Sequence, residues 1–153
     1  MELRDRISTA TKEAMKARDA ARLSTLRLMG AAIKDREIAA RGAGPETDLT
    51  HDDLMALLSK MVKQRQESAR AYEEGGRLEL AEKEQAEIAV IQEFLPRQLD
   101  RAEVAAAVDA VIADLGATGV RDMGRVMAAL RERHGGQMDF GAVGALVKSR
   151  LMG

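Results

Sequence analysis

The chain has 153 residues and a formal net charge of −1 at pH 7, enough length for one compact domain or two small ones and no charge excess pulling towards one kind of partner. Charged residues make up 32% and hydrophobic residues 46%, a globular balance that excludes a disordered polar chain. Cysteine is absent, which removes disulfides, thiolate metal sites and a cysteine nucleophile together.

Aromatic residues are only 2%, so the core must be built from Ala, Leu, Val, Ile and the 9 Met. Such a set favours close-packed helices, because strands are richest in β-branched and aromatic side chains. Pro occurs only as Pro45 and Pro96. The expectation is an all-α chain with seven principal helices and no sheet. The opening residues Met1 to Arg6 carry mixed charge and lead into no apolar run, so they read as neither a signal peptide nor an anchor. No stretch reaches the roughly 20 apolar residues of a membrane span.

The first helix is predicted from about Glu2 to Ala17, with Leu3, Ile7, Ala10 and Ala14 on one face. Asp19 caps a second, whose inner positions are Leu23, Leu26, Gly30 and Ile33, and which stops at Gly42-Ala43-Gly44-Pro45. Thr50 opens a third, with Asp52 and Asp53 at the positive end of its dipole. Its inner face is Leu54, Leu57, Leu58, Met61, Arg65, Ser68, Ala69 and Tyr72, and Gly75-Gly76 ends it. A fourth runs from about Leu78 to Phe94, with Ala81, Ile88, Ile91 and Leu95 inward.

Pro96 disfavours a helical Leu95, which sets a boundary between an N-terminal helical-hairpin domain, 1–96, and a small three-helix tail domain, 97–153. Asp100 and Glu103 form a capping pair for a fifth helix, Arg101 to Leu115. A loop at Gly116–Gly119 leads to a sixth, about Asp122 to Arg133, with Met123, Val126, Met127 and Leu130 buried. Gly135-Gly136 breaks it. Asp139 caps the last, with Val143, Leu146, Val147 and Leu151 inward.

No catalytic constellation emerges. His51 and His134 are far apart in sequence and read as surface residues, and no H-x-x-x-H pair exists. Glu73, Glu74, Glu79, Glu82, Glu84 and Glu87 lie among Lys and Arg, the pattern of a solvated helix face. The glycines spell no phosphate loop and read as helix punctuation. Met61, Met123 and Met127 read as core filling rather than an adaptable groove. No catalytic residue, metal site or cofactor is assigned. Positive charge gathers only in 121–153, where Arg121, Arg125, Arg131, Arg133, Lys148 and Arg150 face Asp122, Glu132 and Asp139. Within that set Arg121, Arg125, Lys148 and Arg150 are the candidates for contact with an anionic or nucleic-acid partner. Arg121 and Arg125, four apart, are expected on one side of the sixth helix's first turns.

Three blocks carry a resemblance that spans essentially the whole chain. The first is D-x-x-R-L-S-T-L-R-L-x-x-A-A-I-K-x-x-E-I, Asp19 to Ile38. The second, from Val62 to Leu99, holds V-K-Q-R-x-E-S and then G-R-x-x-L-A-E-K-E-x-A-E-I-x-x-I-Q-E-F-L-P-x-Q-L. The third is Asp122 to Met127, followed by Gly136, Asp139 and Leu146-Val147-Lys148. Together they resemble the GatB/YqeY family, most closely its stand-alone YqeY members. The resemblance implies a helical N-terminal domain and a three-helix tail, related to the tail that helps hold tRNA in the B subunit of the tRNA-dependent Asp/Glu amidotransferase. The family's association with carbon–nitrogen ligation from glutamine belongs to a separate catalytic domain for which this chain has no room. The implied function is a non-catalytic tRNA- or RNA-associated accessory protein of the cytoplasm, with no membrane and no DNA as partner. The alternative is a module that docks on amidotransferase or aminoacyl-tRNA synthetase components or on the ribosome. A third reading makes it a catalytic amidotransferase component.

Overall fold

Helix capping fixes where this chain turns. The computed structural model describes residues 2–42 and 49–152, and all its regular elements are helical. The elements are α1 (Leu3–Ala17), α2 (Ala20–Gly42), α3 (His51–Glu74), α4 (Leu78–Gln92), α5 (Arg101–Leu115), α6 (Met123–His134) and α7 (Phe140–Met152), with a short 3-10 turn at Val120–Asp122. No strand occurs among the described residues. The chain divides into two compact units, Met1–Pro96 and Arg97–Gly153.

In the first unit, α1 ends on Arg18 in the left-handed region at φ 57°, and the Asp19 N–H reaches back to the Ala14 carbonyl. The Asp19 carboxylate then accepts from the Arg22 N–H and caps α2. At Thr50 the hydroxyl accepts from the Asp53 N–H while the Asp53 carboxylate accepts from the Thr50 N–H. That reciprocal pair holds the Asp53 carboxyl below its usual range, the Thr50 backbone bond contributing most. The predicted stop at Ala43-Gly44-Pro45 lies outside the described residues.

The core of this unit joins the whole predicted stripe of α1 to Leu26, Met29 and Ile33 of α2, to Leu54, Met55, Leu58, Met61 and Val62 of α3, and to Ile88, Ile91 and Phe94. Gly30 is exposed, contrary to the sequence reading. Met29 takes the inner position because Leu26, Met29 and Ile33 follow steps of three and four. Phe94 lies beyond the end of α4 yet is buried.

Charge also crosses the helices here. Arg65 Nε donates to Glu87 Oε2 at 3.1 Å, with both side chains only 16% exposed, and Arg65 Nη1 donates to the Met61 carbonyl. Glu87 is therefore no part of a solvated acidic face, as its neighbours in sequence suggested. Glu87→Gln leaves a largely buried guanidinium without its counter-charge and should cost about 2 kcal/mol. Urea unfolding of the variant beside the parent measures this, and an unchanged midpoint would show the pair to be dispensable.

In the second unit, α5 starts on the reciprocal Asp100–Glu103 cap and ends on Gly116, left-handed at φ 61°. The three helices pack pairwise around Val108, Val111, Val126, Met127, Leu130, Met138, Val143, Val147 and Leu151. Met61 and Met127 are buried and Met123 packs against the second core, so these methionines fill cores.

Glu103 has two partners: Arg97 donates to both its oxygens at 2.9 and 2.7 Å, and the Asp100 N–H donates at 3.1 Å. Its carboxyl is drawn down to about 2, the Arg97 bond first and the backbone bond second. A carboxyl depressed on folding stabilises the native state above its unfolded value of roughly 4.3, and the contribution is lost as pH falls from there through about 2. Acid titration followed at the Arg97–Glu103 segment should show that loss, and Glu103→Gln should remove it. An identical acid profile for the variant would disprove the assignment.

Candidate nucleic-acid interface

The residues ahead of α5 are held by the turn that joins α6 to α7. The Leu99 N–H donates to the Gln137 carbonyl at 2.9 Å, Gln98 Nε2 donates to the Gly136 carbonyl, and Gln137 Nε2 donates to the Arg97 carbonyl at 3.1 Å. Because the Gln137 amide donates through nitrogen to Arg97, its oxygen faces His134, 3.1 Å from Nδ1. His134 Nδ1 therefore carries a hydrogen. His134 is half-buried and bonded within the unit, not the plain surface residue the sequence suggested. Gly136 is buried at φ 74°, a position that only glycine fills without strain.

The four candidate cations are all exposed and fall into two kinds. Arg125 Nη2 donates to Asp122 Oδ1 at 2.9 Å, and Arg150 Nε lies 3.4 Å from Asp109 Oδ1. Arg121 and Lys148 make no side-chain hydrogen bond or ion pair among the described residues. Arg121 sits on the 3-10 turn ahead of α6 rather than in the helix, so it does not share a helical face with Arg125 as expected. Asp122 does not cap α6 either. Its second oxygen accepts from the Thr118 N–H at 3.0 Å, and that backbone bond, followed by Arg125, lowers its pKa. Asp139 does cap α7, accepting from the Gly141 N–H.

Helix geometry separates the pair on α7. Lys148 and Arg150 are roughly 200° apart around the axis, at about 100° per residue. The Val120–Asp122 turn packs against α7, and a Cβ at Gly144 would touch Met123 Cε. Lys148, four residues past Gly144, continues that flank and so lies towards Arg121's turn. Arg150 points to the opposite flank, towards α5, where Asp109 receives it. The four cations thus form one unpaired set, Arg121 and Lys148, and two arginines already held by acids. Further pairing spends Arg133 on Asp114 at 2.8 Å, while Arg131 lies over the Phe140 ring at 5.7 Å. Sequence spacing gave no sign of Asp109, Asp114 or Phe140 as partners, because each comes from another helix.

Elsewhere, no three His, Asp or Glu converge to hold a metal ion among the described residues. No described helix is long and apolar enough to cross a membrane.

Comparison with known proteins covers nearly the whole chain. The family described as Yqey-like protein matches residues 4–151. The "Altered inheritance of mitochondria protein 41, mitochondrial" of Eremothecium gossypii is 34% identical over 143 residues, 92% of this chain and 75% of that protein. The protein of the same name from Lachancea thermotolerans is 36% identical over 84 residues, 55% of this chain. The chain spans only 43% of that second relative's length. With the family match running through both helical units, the chain belongs to the Yqey-like protein family.

Proposed function

We propose that this chain is a non-catalytic RNA-associated accessory protein, that its partner is tRNA, and that residues 97–153 make the contact. The observation that carries the reading is the Arg121–Lys148 pair. Two exposed cations without acid partners stand on adjoining elements of a unit whose other arginines are largely neutralised. Cations on neighbouring elements suit a phosphate backbone, which needs charge at intervals rather than a pocket. The family's resemblance to the tRNA-holding tail of an amidotransferase subunit supports the choice of RNA.

A second reading, docking on amidotransferase, synthetase or ribosomal protein components, draws on the same pairing: four arginines held by acids leave little charge for phosphate. Retention of unfractionated tRNA on filters at low salt separates the two. Saturable binding supports RNA contact, and its absence at about 50 mM salt leaves protein docking.

The non-catalytic reading rests on the lack of any cysteine nucleophile and on relatives whose names carry no enzymatic term. The pure chain should therefore release no ammonia from glutamine, with or without tRNA. Turnover abolished by a single substitution would overturn this. The aqueous compartment we assign is the cytoplasm. The mitochondrial names describe the relatives, and imaging of a tagged form would test the assignment.

A further inference from the structure

The pairing of Arg150 with Asp109 has its own consequence for binding. Resting on the RNA reading above, we propose that Asp109 limits the affinity of residues 97–153 for polyanions by occupying Arg150, on the flank of α7 opposite Lys148, which a phosphate must take from it. The two side chains are 45% and 57% exposed, and their closest approach, 3.4 Å, is through Nε. An ion pair so open to water adds little to the fold, so its carboxylate is not there by structural necessity. Its two terminal nitrogens stay available to an incoming oxygen, and a guanidinium presents five N–H donors in a planar fork. A phosphate can therefore engage Arg150 from the solvent side and displace the carboxylate afterwards. Closely spaced phosphates gain from several such exchanges at once, whereas a single anion gains from one.

Asp109 suits this role better than the other acids. Asp122 also binds the Thr118 backbone and Glu103 belongs to the α5 cap, so neutralising either disturbs local structure. Asp109 is exposed on α5, and its one side-chain ion pair among the described residues is with Arg150.

The experiment is a double-mutant cycle on the full chain, with Asp109→Asn, Arg150→Ala and both together, read by unfractionated tRNA binding at about 50 and 200 mM salt. Asp109→Asn should bind about threefold to fivefold tighter at the lower salt, a ceiling set by the worth of an exposed pair. Freeing one cation should also steepen the salt dependence by about one phosphate. In the Arg150→Ala background the same change should gain less than half as much. Superimposable circular dichroism melts keep folding out of the comparison. A gain that persists in full without Arg150 would mean a general charge effect and overturn the proposal while leaving the RNA reading intact. No gain at all, with the parent still binding, would do the same. If no variant binds tRNA at either salt, the RNA reading falls and this proposal falls with it.

Discussion

Leu130→Ala should unfold the second unit at temperatures where the first remains folded. Leu130 is fully buried, and it sits on α6 between the helices that complete its core. Removing its side chain costs the transfer of three carbons and leaves a cavity, together about 3–4 kcal/mol. A unit of roughly 60 residues holds only about 3–5 kcal/mol of stability, so one such loss consumes nearly all of it. The larger unit, with Leu26, Met29, Leu58 and Ile91 fully buried, should keep its structure. Limited proteolysis with mass spectrometry reads the result: cuts should appear within 101–152 while a fragment ending near Pro96 persists. Ala106→Ser, on the exposed side of α5, serves as the neutral control. A single transition that takes both units down together would show that 97–153 is not a separate folding unit.

Arg121→Ala with Lys148→Ala should bring the largest change in RNA binding. With about three phosphates neutralised, the parent's affinity for tRNA should fall by over tenfold between roughly 50 and 200 mM salt. Removing these two cations should weaken binding several-fold at low salt and flatten that dependence to about one phosphate. Both side chains are exposed, so stability should move by about 0.5 kcal/mol or less. The control pair is Lys34→Ala with Lys83→Ala in the first unit, equal in charge removed. Equal weakening by both pairs would mean diffuse attraction rather than an interface in the tail.

Local chemistry made the helices readable and long-range geometry hid the site. Asp19, Thr50, Asp100 and Asp139 each accept the backbone hydrogen that opens a helix, and these short-range bonds are written in adjacent residues. Gly75 and Gly116 close helices for equally local reasons. Gly30 departs from the predicted stripe because a 3.6-residue period leaves neighbouring positions at its edge ambiguous, and the partner helices decide. Glu87 looked like one solvated glutamate among several until Arg65, a helix away, claimed it. Arg65 on an otherwise inward face is the clue in the sequence, since a largely buried guanidinium requires a counter-charge. Arg125 pairs with Asp122 three residues before it, a spacing legible in the sequence. Arg150 was paired across helices, which no spacing reveals.

The clasp between Arg97–Leu99 and Gly136–Gln137 governs when the tail can open. Leu99 belongs to no helix, and the amide of an irregular segment ordinarily exchanges with solvent deuterium quickly. Here that amide is bonded to Gln137, which lies across the intervening α5 and α6. Fraying at the start of α5 cannot free it, because its acceptor sits beyond α6. Its deuteration should therefore track global unfolding of residues 97–153, which makes Leu99 a single-residue reporter of the tail's integrity. The same contact closes one of the longest loops in the unit, so it should form late in folding, after α5 and α6 are in place.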